Sequence, residues 1–406
     1  MTQSITLLGS SSGRNAGDAA LIHAIMDACD QAAKQKFSYE IPTINPKFVK
    51  NSYPHNVVPI SIMPWNLAIK IFGLPTYQSI MRTDISLIFD AVLFDRSLFN
   101  PLFNFLSTFH CFLLAAKRKG KKFGLFNVGL GPVTTLLGER MLREVVNAAD
   151  FVTVRDQGSF DVLKQIGAEN PNCLITADAA LNCPQASEDD IEKIIQELGF
   201  EKDQEILAVN VNQYLDTWAS AEPGKLTRQE FIEVISTAIN NCLTELNVGL
   251  LLVSTQHHDL SLTQEIAAKI NSPQKIAILD NRRYNHLEIK GVLSKVQLLF
   301  GMRLHAMILG SSAFTPIVGL AYQPKCKFYF DLLGLESHLY HFDNFDKKKI
   351  FNAIMSGWQD RVQIRKTLEN KVPELQQRAL LAGEITTQLL QGMPTEQVFK
   401  SLSLAS

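Results

Sequence analysis

Short apolar runs alternate with stretches of helical period along most of this chain, and that alternation restricts the fold more than any other feature. Runs at 5–8, 85–89, 122–128, 151–154, 206–210, 248–253, 297–300 and 315–320 read as strands. Helical period fills 19–33, 134–149, 159–165 and 228–246 between them. Strands separated by helices pair in parallel, with the helices covering both faces of the sheet. The pattern occurs twice, on either side of the polar, Pro-containing stretch Cys183-Pro184-Gln185-Ala186-Ser187-Glu188. The fold class expected is therefore α/β: one parallel-sheet domain over 1–182 and a second over 183–356. A charged tail without strand signals over 357–406 is expected to be helical. Residues 45–83, rich in Pro and aromatics and without a clear period, read as a loop-rich insert of the first domain.

Composition narrows the function. The 406 residues carry 39 Lys+Arg against 40 Asp+Glu, a formal net charge of -1, whereas nucleic-acid binding selects basic surfaces. No nucleic-acid partner is expected. Six scattered cysteines form no CxxC pair, which argues against a disulfide framework or a Cys-rich zinc site and fits a cytoplasmic protein. The opening MTQSITLLGSSSG has no basic region before its apolar run, so it does not read as a secretory signal. Residues 98–116 carry no charge, but Asn100, Pro101, Asn104 and His110 interrupt them. A helix buried against a sheet is the favoured reading, ahead of a spanning helix. A membrane-facing surface is the third, because Lys117-Arg118-Lys119 and Lys121-Lys122 follow at once; peripheral contact with the inner face of a membrane stays open on that ground.

Ligands of parallel α/β sheets bind at the carboxyl ends of the strands, so a motif counts for more when it follows a strand. Four do. Gly9-Ser10-Ser11-Ser12-Gly13-Arg14-Asn15-Ala16-Gly17-Asp18 runs from the first strand into a helix, where free N–H groups attract anions. Its spacing matches neither GxGxxG nor the P-loop, and Asp18 reads equally as an N-cap or first-turn acid of a plain turn. Val154-Arg155-Asp156-Gln157-Gly158-Ser159 places a planar guanidinium at a strand end, suited to phosphate or carboxylate; the plainer alternative is an Arg–Asp surface pair. Gly301-Met302-Arg303-Leu304-His305-Ala306 sets an arginine and an imidazole two residues apart, an anion holder beside a general acid–base. Ala321-Tyr322-Gln323-Pro324-Lys325 adds a point charge and a stacking face, or only a solvated loop lysine. His257-His258-Asp259 is a further rim element, too sparse for a metal site. No GxSxG or HExxH appears. Cationic groups at strand ends point to a small polyanion as common ligand.

Taken together and in this order, N-A-G-D-A-A-L-I (15–22), N-V-G-L-G-P (127–132), V-R-D-Q-G-S (154–159), T-A-D-A-A-L (176–181), G-M-R-L-H-A (301–306) and A-Y-Q-P-K (321–325) resemble the polysaccharide pyruvyl transferases. The resemblance runs from about residue 9 to 335, and R-L-H-A with the downstream Y-x-P-K is its most specific part. It implies two Rossmann-like domains facing a central cleft, similar to the B-type glycosyltransferases. It also implies transfer of pyruvate from phosphoenolpyruvate to sugar hydroxyls of a glycan, forming a ketal and releasing phosphate. On that reading Arg155, Arg303, His305, Lys325, Asn15, Gly17 and Asp18 hold the donor, and His305 and Arg303 are the catalytic pair. No metal or organic cofactor is called for; the partners are phosphoenolpyruvate and a glycan acceptor. Many members carry Gly-Gly-Gly after the strand near residue 89, where this chain has Asp90-Ala91-Val92. Two alternatives stand beside this: a B-type glycosyltransferase with a nucleotide-sugar donor, and a non-catalytic sugar- or anion-binding relative.

Overall fold

A computed structural model describes residues 2–62, 73–98, 104–213, 227–342 and 345–403. It divides into two compact units that are discontinuous in sequence. The first comprises 1–13, 21–182 and 375–406; the second comprises 14–20 and 183–374. Residues 14–20 and 375–406 thus lie in the unit that sequence order alone would not give them.

Each unit holds one all-parallel sheet. The first contains β1 (Ser4–Leu8), β2 (Ser38–Thr43), β3 (Asn56–Ser61), β4 (Ile85–Ile88), β5 (Lys122–Val128), β6 (Phe151–Val154) and β7 (Cys173–Ile175), in the order β3-β2-β1-β4-β5-β6-β7. The second contains β8 (Ile206–Asn210), β9 (Gly249–Ser254), β10 (Ile276–Asp280), β11 (Leu298–Gly301), β12 (Ile317–Ala321) and β13 (Leu339–His341), in the order β10-β9-β8-β11-β12-β13. The chain fills one side of the sheet, then jumps back across its starting strand to fill the other. The reversal falls between β1 and β4 in the first unit and between β8 and β11 in the second. Loops leaving such a pair diverge and open a crevice at the strand ends.

The helices form where apolar residues recur at helical spacing. Helix Arg228–Leu246 opens with a capping box between Thr227 and Glu230 and buries Phe231, Ile235, Ile239 and Cys242 along one face. These meet Leu207, Leu250, Phe300 and Val318 in the core of the second unit. Each such side chain contributes roughly 1.5–3 kcal/mol through removal from water. Helix Leu106–Lys117 buries Leu106, Phe109, Leu113 and Ala116 against the first unit's core, which is the buried-helix arrangement favoured for this apolar stretch; residues 99–103 lie outside the described residues. Among the described residues no helix is long and apolar enough to cross a membrane. Lys117, in its last turn, pairs with Asp150 at 2.8 Å.

The insert 45–83 is more regular than its composition suggests, although 63–72 lie outside the described residues. It contains helices Pro46–Ser52 and Leu74–Arg82 and the edge strand β3. Helix Lys347–Leu390 fills most of the expected helical tail and begins ten residues earlier than the sequence reading placed it.

Buried Asp95 anchors the first unit by accepting the backbone N–H groups of Thr134 and Thr135 at 2.7 and 2.6 Å. Burial alone would raise its pKa, but the bonds from Thr135 and Thr134 hold it below the ordinary value. A folded-state pKa below the unfolded one stabilises at neutral pH, and that contribution is lost as pH falls below about 4. Asp95→Asn is expected to flatten this acid limb in pH-dependent urea unfolding; an unchanged limb would show that Asp95 does not contribute to it.

Candidate functional site

The second unit holds most of the residues singled out in the sequence, around the strand reversal between β8 and β11. At the end of β8, Asn210 accepts the backbone N–H of Arg303 through its side-chain oxygen at 2.9 Å. Its amide nitrogen donates to the Val253 carbonyl at 2.8 Å. One asparagine therefore ties the ends of three adjacent strands, because Asn210 is in register with both Val253 and Gly301. Arg303 then takes extended backbone as the N-cap of helix Leu304–Ser312.

The Arg303 guanidinium is oriented by Asp259. Nη2 donates to Oδ1 at 2.7 Å and Nε to Oδ2, a two-pronged pairing with a fully buried carboxylate. Oδ1 also accepts the backbone N–H of Gln213 at 3.0 Å. Burial opposes the charge on Arg303, but Asp259 above all, with Tyr322 and Asp18, keeps its pKa above the ordinary value. The arginine is a permanent cation whose planar fork cannot swing freely.

His305 follows in the first helical turn and rests on the segment 14–20. A Cβ added to Gly17 would lie 2.5 Å from the His305 Nδ1, so only glycine permits this approach. The segment is fixed by Ala16 N–H to the Thr255 carbonyl (2.8 Å), His257 N–H to the Arg14 carbonyl (2.9 Å) and a bridge between Asn15 and Gln256. Asn15 accepts the Gly17 N–H at 2.9 Å and donates to Asp18 at 2.7 Å. Asn15 is thus the cap of the first helix, and Asp18 is the first-turn acid beside it. Lys325, at the start of helix Pro324–Leu333, has its ammonium 5.9 Å from the centre of the Tyr322 ring. Asn15, Gly17, Asp18, Arg303, His305 and Lys325 all belong to the second unit. Gly17→Ala is expected to displace the imidazole; a histidine-resolved NMR spectrum should show the His305 resonances shifted, and an unchanged spectrum would contradict the packing.

Arg155 belongs to the first unit and is buried there. Its Nη1 donates to Asp178 at 2.9 Å, and Nε lies 3.5 Å from Asp156. Burial works against its charge, while Asp178, Asp156 and Asp90 hold its pKa above the ordinary value. A Cβ on Gly129 would come within 2.6 Å of Nη2, which accounts for the glycine in N-V-G-L-G-P. Asp156 also caps helix Gln157–Gln165 by accepting the Ser159 N–H at 2.7 Å. The Arg–Asp motif is thus a buried ion-pair cluster rather than the surface pair that the plainer reading expected.

Asp90, just after β4, adopts a left-handed φ of 68°. That conformation is costly for most residues and tolerated by Asp. Its carboxylate accepts the Ala91 N–H at 2.6 Å.

The model of the polysaccharide pyruvyl transferase family matches residues 15–324. The chain belongs to the polysaccharide pyruvyl transferase family. Five of the six motifs of this pyruvyl transferase family member fall inside that range, and the sixth, 321–325, runs one residue past it, to Lys325. A search of curated proteins finds no significant match. Among solved structures, a UDP-N-acetylglucosamine 2-epimerase shares the fold at a TM-score of 0.64, 12% identity and 97% coverage of each chain. The Neisseria meningitidis UDP-GlcNAc 2-epimerase bound to UDP-GlcNAc gives 0.62 at 11% identity, over 96% of this chain and 100% of the other. Anabaena HepE in complex with UDP and glucose gives 0.57 at 13% identity and 99% of both. At such identities the likeness concerns the fold, two parallel-sheet α/β domains of the kind seen in nucleotide-sugar enzymes.

Proposed function

We propose that this member of a transferase family moves pyruvate from phosphoenolpyruvate to two hydroxyls of a sugar, forming a ketal and releasing phosphate. The observation that carries the reading is Arg303, locked by Asp259 and Asn210 at the strand reversal of the second unit, with His305 one helical step beyond it. Phosphoenolpyruvate presents a phosphate and a carboxylate. Arg303 and Lys325 supply opposite charge, and the amides of the Asn15–Gly17 turn supply N–H donors. Asp18 acts in this donor site through its partners Asn15 and Arg303. Arg155, in the first unit, is held by its ion pairs with Asp178 and Asp156.

His305 delivers a proton to the methylene carbon of the donor, leaving C2 electron-poor and stabilised by its ester oxygen. A sugar hydroxyl adds to C2 and returns its proton to the imidazole. The C2–O bond to phosphate then breaks, a second hydroxyl closes the ring on C2, and its proton leaves with the phosphate. One donor and one diol give one pyruvate ketal and one phosphate, so the step needs no redox partner.

Phosphate release from phosphoenolpyruvate with candidate glycans tests the activity; its absence across a broad acceptor panel would favour the non-catalytic reading. Replacing Arg303 by Lys keeps the charge but loses the two-pronged geometry, and is expected to weaken donor binding by about 1.5–3 kcal/mol. Unchanged affinity would remove Arg303 from the donor clamp. The nucleotide-sugar alternative draws support from the UDP complexes of the structural neighbours; stabilisation by nucleoside diphosphates but not by phosphoenolpyruvate would favour it.

A further inference from the structure

A second cluster of chemistry-bearing side chains lies in the first unit, and the reaction above makes no use of it. His23 and Asp27 stand one turn apart on helix Ala16–Ala33, so they share a face. His55 reaches the same place from the short connection between helix Pro46–Ser52 and β3. Both imidazoles are nearly buried, with side chains 4% exposed, and their Nε2 atoms face different oxygens of the one carboxylate. The separations are 2.9 Å from His55 and 3.6 Å from His23. The rings meet edge to face with centroids 5.3 Å apart.

A plain structural His–Asp pair needs one imidazole, whereas this carboxylate is met by two. The spacing is that of a coordination shell. Zinc bonds of about 2.0–2.1 Å to nitrogen and oxygen give a tetrahedron with edges of about 3.4 Å, and the two measured separations bracket that value. All three candidate ligand atoms lie within 4.8 Å of one another, so small rotations centre them on one ion. The Nδ1 of His55 is buried without a hydrogen-bond partner among the described residues. Asp27 is half exposed, toward a cavity of about 690 Å³ that Asp27 and His55 line with Asp30, Gln31, Lys34 and Lys36.

We propose that His23, Asp27 and His55 form a mononuclear site for a zinc-class divalent cation, with three protein ligands and a fourth position open to the adjoining cavity. Two imidazoles and one carboxylate suit zinc and its first-row neighbours and disfavour calcium or magnesium, which take oxygen shells. The ion would pin the connection before β3 to the first helix. The sequence shows only half of this arrangement, the i, i+4 pair, since His55 lies 28 residues further on.

The test uses untagged full-length protein, stripped with chelator and titrated with Co2+ and then Zn2+. Expected are one equivalent of Co2+ with the visible absorption of a tetrahedral site, its displacement by Zn2+, and a rise in Tm with Zn2+. Asp27→Asn and His55→Gln should each weaken binding by more than the roughly 10–100-fold typical of losing an outer-sphere partner, and should abolish the Tm rise. Far-UV circular dichroism checks the fold; because Asp27 is half exposed, Asp27→Asn keeps the test decisive if His55→Gln unfolds. No stoichiometric metal in the wild type, or equal affinity in folded Asp27→Asn, would overturn the proposal.

Discussion

Replacing His305 by Ala is expected to lower kcat by about 10²–10⁴-fold, the usual contribution of a positioned proton donor, while leaving phosphoenolpyruvate affinity nearly unchanged. The split follows from geometry. His305 sits on Gly17 at the start of its helix, whereas the fixed positive charge belongs to Arg303, which Asp259 orients without help from the imidazole. Initial-rate kinetics of phosphate release, with donor affinity from calorimetry, separate the two. A kcat within threefold of wild type would assign the proton transfer elsewhere. Equal losses in affinity and turnover would make His305 a donor ligand only.

The largest stability effect is expected at Arg155. Its guanidinium is 5% exposed and its partner Asp178 is 3% exposed; the pair is joined at 2.9 Å. Arg155→Ala leaves a buried carboxylate without its guanidinium partner, while its other oxygen accepts the Ala180 N–H at 3.0 Å. Breaking such a pair from one side costs about 3–5 kcal/mol, because the remaining charge is left uncompensated. Urea unfolding followed in the first unit should show a loss of that size. Restoring neutrality with Arg155→Met plus Asp178→Asn should recover a good part of it, and no recovery would place the loss in packing around Gly129 instead. A loss below about 0.5 kcal/mol would be that of an exposed pair and would contradict the burial.

How much of this fold shows in the sequence depends on where each strand lies in its sheet. The apolar runs at 5–8, 85–89, 122–128, 151–154, 206–210, 248–253, 297–300 and 315–320 correspond to β1, β4, β5, β6, β8, β9, β11 and β12, which are interior strands in both sheets. Buried on both faces, they read as continuous apolar segments. The four edge strands β3, β7, β10 and β13 escaped, because an edge in contact with water needs no such run. β2 escaped too: Ser38–Thr43 carries Glu40 and Pro42 within a strand whose burial partly alternates.

The candidate site divides in the same way. Arg303, His305 and the Asn15–Asp18 turn were legible because each follows a strand in a recognisable order. Asp259 was visible only as a rim residue, since its bond to Arg303 spans 44 positions and only the fold brings the two together. Asn210 carries no motif; its role comes from ending β8 between two neighbours. The segment 14–20 sits in the second unit although its sequence lies in the first, and nothing in its composition records that.

The central claim is that the Arg303–His305 crevice takes phosphoenolpyruvate. Isothermal titration of the wild-type chain with phosphoenolpyruvate, alongside Arg303→Lys and a parallel titration with UDP, tests it most directly. A single saturable phosphoenolpyruvate isotherm is expected, weakened about 10-fold or more in the variant, the equivalent of about 1.4 kcal/mol. Saturable UDP binding with no phosphoenolpyruvate heat, or identical phosphoenolpyruvate isotherms for both chains, would contradict it.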